Sequence, residues 1–396
     1  MKMKCLLLVL VGLSLATAAH TQTTISQLFA FGCANSICPD GLEPSVLIQA
    51  SDGNFYGVTG GYGEIYQITA SGQVTVLYTF TQNPKTGHYD QGWGPAALVE
   101  GSDGFLYGVA TNGGPNPSSA GTLFKISKSG TGFQVLQIFC TTCTNGSYPD
   151  NLQAGTDGNM YGTTEAGGFI STSVCQDLGC GVVFRVTPPG TFTVLHALNG
   201  TNEANYPLGV IQASDGNLYG TTGNSNPGSV FRCNPSTGQF KTLHSFPSGV
   251  YPLNRLTQAS DGTLYGVSRS TIARTYNLFS SSLSGSVKTV STLPVPYARG
   301  NDVGPLLQAT DGNLWGTDIY NITGYLNNFG EVFAVSTKGT VEHQLPLSGT
   351  NGANPVAGVI QATNGTLYGT ATLQGTPSNG DQGYGTVFTI AGLPPK

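Results

Sequence analysis

ASDGNFYG at residues 50–57 recurs as GSDGFLYG at 101–108, GTDGNMYG at 155–162, ASDGNLYG at 213–220, ASDGTLYG at 259–266, ATDGNLWG at 309–316 and ATNGTLYG at 362–369. Self-similarity at a period of roughly 50 residues points to an array of like supersecondary units sharing one continuous core. Each copy is an apolar run, an Asp-Gly pair and an apolar-aromatic run, the pattern of a hairpin with a two-residue I′ turn. Asp52, Asp103, Asp157, Asp215, Asp261 and Asp311 are replaced by Asn364 in the last copy. The substitution keeps the demands of a turn and removes a charge, so these positions read as structural turns rather than a ring of catalytic or calcium-binding carboxylates.

Two more runs follow each hairpin. The first reads GEIYQI, GTLFKI, GVVFRV, GSVFRC, GEVFAV or GTVFTI, with an aromatic at Tyr66, Phe124, Phe184, Phe231, Phe333 and Phe388, and Phe279 in that place in the fifth unit. The second reads VTVLYTF, FQVLQIF, FTVLHAL, FKTLHSF, VKTVSTL and VEHQLPL. Four short strands per unit without a helix predict an all-β fold of radially arranged blades, a β-propeller. The seventh unit ends after its third strand, whereas Ile25 to Phe31 (ISQLFAF) has the fourth-strand pattern ahead of the first unit. A seven-bladed ring of four-stranded antiparallel blades follows, with the N-terminal strand completing the last blade and removing an open sheet edge. Repeat motifs begin near residues 46, 97, 151, 209, 255, 305 and 358, and residues 19–396 form one domain.

Residues 1–18 read as a secretory signal peptide: Lys2 and Lys4, then an apolar run from Leu6 to Leu15, then Ala16-Thr17-Ala18. The run is shorter than a bilayer span, and no later segment reaches that length. A secreted protein, extracellular or periplasmic, is expected. Fifteen Lys and Arg against twenty Asp and Glu give a formal charge of −5, which disfavours a nucleic-acid partner. A monomer is expected.

With strands lettered A to D, the A-to-B and C-to-D turns are short and uniform, whereas the B-to-C and D-to-A connections vary widely. Variable loops on a rigid scaffold are where binding residues concentrate, so the second face is the expected interaction surface. Six cysteines form close pairs there, Cys33 with Cys38, Cys140 with Cys143 and Cys175 with Cys180, and read as disulfide staples in an oxidising compartment. Cys140 and Cys143 lack the βαβ context of a redox pair, and no histidine cluster accompanies the pairs for zinc. Cys233 reads as a buried, inert thiol.

Trp93, with His88, Tyr89 and Asp90 in an irregular loop, is a candidate stacking platform for a sugar ring, or else a cover for the core. His196 and His244 share one D-strand position and read as sheet-filling. Gln49, Gln212, Gln258, Gln308 and Gln361 recur at one A-strand register, where the second unit has Glu100. These groups are expected to hydrogen-bond neighbouring blades or water near the channel, and Glu100, as the charged member, is a candidate binding residue. Neither a catalytic or phosphate-binding motif nor a metal or cofactor site is legible. Asp90, Asp150, Glu165, Asp177, Glu203, Asp302 and Asp318 are scattered acids from which a carboxylate pair could form.

The strings VIQASDGNLYGTT, GSVF and FKTLHSF, and again VIQATNGTLYGT and GYGTVF, resemble the GloVer tandem repeat of secreted bacterial proteins over essentially the whole mature chain. The resemblance implies display outside the cell through a C-terminal sorting tail, whereas this sequence ends at GLPPK without one, so release or periplasmic residence is expected instead. The resemblance carries no established activity, so no catalytic residue follows from it. DGNLYG and DGNLWG also resemble, more faintly, the blades of secreted lyase and NHL-type propellers. The leading expectation is a binding module for a glycan or protein on the loop face. The alternative is a propeller lyase or hydrolase with acidic residues at the channel mouth.

Overall fold

The computed structural model describes residues 23–33, 38, 41–60, 63–168, 175, 178–200, 203, 205–223, 227–293, 303–319, 329–377 and 382–393. Residues 1–18, read above as a signal peptide, and Asp177 and Asp302 lie outside them. Among the described residues the strands form seven antiparallel sheets in sequence order, each running A-B-C-D. Blade 1, for example, is Pro44–Gln49, Phe55–Thr59, Glu64–Ile68 and Val74–Thr79. In blade 5 the A strand is split into Val250–Pro252 and Thr257–Gln258, both paired with Leu264–Ser270. The chain is an all-β, seven-bladed β-propeller. No helix among the described residues is long and apolar enough to cross a membrane.

The last blade is completed from the other end of the chain. Thr24–Cys33 pairs antiparallel with Gln382–Ala391, from Thr24 opposite Ala391 to Cys33 opposite Gln382. Gln27 holds Thr376 through both amide atoms, its Nε2 donating to the Thr376 carbonyl at 2.9 Å and its Oε1 accepting the Thr376 N–H at 3.0 Å. Blade 7 meets blade 1 directly, with the Phe55 and Tyr368 rings 4.2 Å apart.

The repeated turn differs from the sequence expectation. Ala50 N–H donates to the Asn54 carbonyl and Gly53 N–H to the Ala50 carbonyl, both at 2.9 Å, and Gly53 alone has a positive φ, of 83°. This is a three-residue loop, a type I turn followed by a left-handed glycine, rather than a two-residue I′ turn. Asp52 therefore sits at an ordinary φ, and its side chain matters instead: Oδ1 accepts the Asn54 N–H at 3.2 Å. Asn364 does the same for Thr366 at 3.0 Å, which is why the uncharged residue suffices. Asp52 Oδ2 also receives the Tyr56 hydroxyl at 2.8 Å, and Tyr107, Tyr161 and Tyr219 repeat this bond to Asp103, Asp157 and Asp215. Trp315 preserves it with its indole N–H, 3.0 Å from Asp311.

The core lies between blades, as where Tyr56, Val58, Ile65 and Phe80 of blade 1 pack on Leu98, Leu106, Phe124 and Ile126 of blade 2. A second joint closes the loop face. Pro44, Pro95, Pro149, Pro207, Pro252 and Pro355 lie in or just ahead of A strands, towards the loop face, against Gly385, Gly63, Gly121, Gly181, Gly228 and Gly330 of the preceding blade. At Gly181 and Gly228 a Cβ would stand 2.6 Å from the proline Cδ, a distance that excludes any other residue. The residue before the proline is left-handed at Glu43, Tyr148, Tyr206 and Asn354, a conformation that costs roughly 1–2 kcal/mol outside glycine. Its amide groups explain why it persists. Glu43 N–H donates to Tyr384 of blade 7 and its carbonyl accepts from Gly60 of its own blade, both at 2.9 Å. Tyr206 and Asn354 make the equivalent bonds. The strain thus belongs to the joints between blades.

Candidate binding faces

Each A strand runs from the loop face towards the A-to-B turn, so the two ends of one strand serve opposite faces. Trp93 begins the A strand of blade 2 and Glu100 ends it (Trp93–Glu100). Trp93, His88, Tyr89 and Asp90 therefore gather on the loop face, and Glu100 lies on the turn face.

The loop before Trp93 is held by its own bonds. Asn83 N–H donates to the His88 carbonyl at 2.7 Å, and Asn83 Nδ2 to Asp90 Oδ2 at 2.6 Å. The Tyr89 carbonyl accepts from Gly92 and from Gly114, both at 2.8 Å, tying the loop to the neighbouring B-to-C connection. Tyr89 and Trp93 have ring centroids 6.2 Å apart, and Trp93 is 46% exposed. It does not cover the core; it presents a ring to solvent.

Trp93 has company. Six large hydrophobics are exposed among the described residues: Trp93, Leu178, Ile272, Val341, Val356 and Leu373. All but Val341 stand at the loop-face end of their blades, and Ile272, 79% exposed, tips the B-to-C turn of blade 5. The three disulfides join Cys33 to Cys38, Cys140 to Cys143 and Cys175 to Cys180, the first two running from the end of a D strand into the following loop and the third within a B-to-C loop, all on this face. Cys233 is free and buried, and burial pushes its thiol up to about 12, which leaves it unreactive.

Among the described members of the scattered acids, Asp150 and Glu165 come close enough to repel each other, and the others take separate partners. Glu203 pairs with His196 at 3.0 Å, and the His196 ring stacks on Phe240 at 4.5 Å, on the outer strands. Asp318 lies opposite Glu331 across blade 6; burial pushes the Glu331 carboxyl up to about 7. Asp150 sits in the A strand of blade 3 (Ser147–Ala154). Burial, with repulsion from Glu165 added, raises its carboxyl to about 7, and Thr163 Oγ1 donates to it at 3.3 Å. Among the described residues, no three His, Cys, Asp or Glu side chains are grouped to hold a metal ion.

On the turn face, the A-strand glutamines bind the preceding blade. Gln212 Oε1 accepts the Thr156 N–H at 2.8 Å, and its Nε2 donates to its own turn's Gly216 carbonyl at 3.1 Å. Gln49, Gln258, Gln308 and Gln361 make the same two bonds, receiving Thr363, Ser214, Ser260 and Thr310. Glu100 receives the Ser51 N–H at 2.6 Å and adds an ion pair with Lys128, also at 2.6 Å. Burial alone would raise the Glu100 carboxyl, but the bonds from Lys128 and Ser51 outweigh it and hold it below the usual range. The seventh position of this register is Ala154, a break visible only once all seven registers are aligned.

Known structures share the architecture. A virginiamycin B lyase from Staphylococcus aureus, solved with quinupristin, is 16% identical with a TM-score of 0.61, covering 93% of this chain and 99% of its own. The extracellular domain of a hybrid two-component system from B. thetaiotaomicron has 13% identity and a TM-score of 0.57, covering 93% of this chain and 41% of its own. An oligogalacturonate lyase in complex with manganese has 13% identity and a TM-score of 0.53, covering 94% and 91%. At such identities the likeness shows the fold alone. No curated protein sequence matches. The family model described as the Gloeobacter/Verrucomicrobia repeat matches residues 43–279, and so the chain belongs to the Gloeobacter/Verrucomicrobia repeat family.

Proposed function

We propose that the protein is an extracytoplasmic binding module that takes a glycan or protein ligand on its loop face. The observation that carries this reading is that five of the six exposed large hydrophobics among the described residues, Trp93 with its aromatic neighbour Tyr89 among them, lie at that end of their blades. An exposed aromatic backed by a second ring and fixed by a hydrogen-bonded loop offers a stacking surface at low ordering cost. Three loop disulfides favour an oxidising compartment, and the segment at residues 1–18 supplies the export signal. Glycan and protein arrays probed with the mature protein test the proposal. Binding abolished by Trp93→Ala supports it, and array binding that Trp93→Ala leaves intact refutes the platform.

A second reading rests on Asp150. A carboxyl raised to about 7 beside Glu165 has the character of a general acid at neutral pH. A lyase or hydrolase acting there would lose product release in Asp150→Asn, and a polysaccharide-degradation screen without any product removes that reading.

A further inference from the structure

We infer that the turn face between blades 2 and 3 is a small-molecule site that recognises an amide group, either a primary carboxamide or an acetamido group. One of the seven blade junctions lacks a bridge that the others have. At five of them a glutamine carboxamide bridges two backbone groups, its oxygen taking the turn N–H of the preceding blade and its nitrogen giving to the glycine carbonyl of its own turn. At the sixth, Glu100 takes the Ser51 N–H. At the seventh, Ala154 has no side-chain oxygen for Ser102 N–H and no nitrogen for the Gly158 carbonyl, which receives only the Ser102 hydroxyl at 3.2 Å.

The missing side chain leaves space as well as unfilled bonds. A hollow of about 360 Å³ opens there, lined by Ser102, Ala154, Gly158, Asn159 and Met160 and reaching Glu100. Its donor, Ser102 N–H, and its acceptor, the Gly158 carbonyl, correspond to the two backbone groups that hold a carboxamide at five other junctions. Ala154 and the buried Met160 give it an apolar wall for a methyl or methylene group. A ligand amide would restore the bonds that the sequence omits, and the hollow has room for the body of an amino acid or a monosaccharide. The site is on the opposite face from Trp93 and does not depend on the loop-face reading.

Ligand-observed NMR on the mature protein tests this with N-acetylglucosamine and glutamine as probes, and glucosamine and glutamate as controls without the amide. Saturation transfer to an amide probe and not to its control is expected; which probe responds separates a sugar source from an amino-acid source. Ala154→Gln should fill the site with the protein's own carboxamide, weakening the probe at least tenfold while raising Tm. Ser102→Pro removes the N–H at a turn position that suits proline, and should weaken the probe tenfold with the ring intact, whereas Ser102→Ala and Trp93→Ala should not. Equal response to probes and controls, or full binding by either Ala154→Gln or Ser102→Pro, overturns the inference.

Discussion

Tyr66 lies directly across blade 1 from Gly57, and its phenol tip fills the place a Cβ on Gly57 would take. The same pairing recurs as Gly108 with Phe124, Gly162 with Phe184, Gly220 with Phe231, Gly266 with Phe279, Gly316 with Phe333 and Gly369 with Phe388. The last glycine of each repeated octet is thus explained by an aromatic in the next strand, which covers bare backbone.

Gly220→Ala is expected to lower stability by about 1–3 kcal/mol, because the methyl must displace a fully buried Phe231 ring. Thermal melts of the single variant and of Gly220→Ala with Phe231→Leu check it. The second substitution should recover part of the loss, and two additive losses would contradict the pairing.

Tyr66 is the one phenol among these rings, and its hydroxyl is buried without a hydrogen-bond partner. Tyr66→Phe should therefore stabilise the protein by about 1–3 kcal/mol, the cost of an unsatisfied buried group. An unchanged or lowered Tm would show that the hydroxyl has a partner in solution.

The Asp-Gly turns predict a graded series. Asp215→Asn should cost under about 1 kcal/mol, since Asn364 already performs the turn bond in the last blade. Asp215→Ala loses both the Asn217 N–H bond at 3.0 Å and the Tyr219 hydroxyl bond at 2.8 Å, and should cost about 1–3 kcal/mol. Equal losses in the two variants, read by urea unfolding, would mean that charge and not turn geometry is what Asp215 contributes.

Stability should peak in mild acid. The carboxyls of Asp150 and Glu331 are raised to about 7 in the fold, so the folded state holds protons that the unfolded chain has released, and stability falls as pH rises from about 4 through 7. Asp52, Asp157, Asp215 and Glu100 work in the opposite sense. Burial would raise them, but hydrogen bonds hold them below their usual values, so their contribution disappears as pH falls through the folded pKa. Glu331→Gln should raise Tm at pH 7.5, by about 1–3 kcal/mol of stability, and leave it unchanged at pH 4. A Tm that climbs steadily from pH 4 to 8 in the parent protein would contradict the assignment.

The repeat made strand number, blade count and closure legible, because those follow from spacing and hydrophobic pattern. Turn type was less so. Asp-Gly suits either a two-residue or a three-residue loop, and the serine or threonine before it turned out to belong to the loop. The glutamine register was visible, but its bonding partner lies in another blade, about 50 residues away. The Pro-Gly joints went unread because each joins two residues that are unremarkable in their own strands. On the loop face Trp93 was legible as a loop aromatic. Its exposure was not, since the bonds of Asn83, Asp90 and Tyr89 occur in no other repeat.

The strand Thr24–Cys33 also sets an order of events. Gln27 and Thr376, 349 residues apart, are bonded to each other, so the strand Thr24–Cys33 has no partner until the six blades that follow it and the last C strand have been made. Six blades can form from neighbouring sequence, but the ring cannot lock before the last C strand arrives. A chain that leaves its cell of origin unfolded would lose nothing by this delay, and would complete its fold only at its destination.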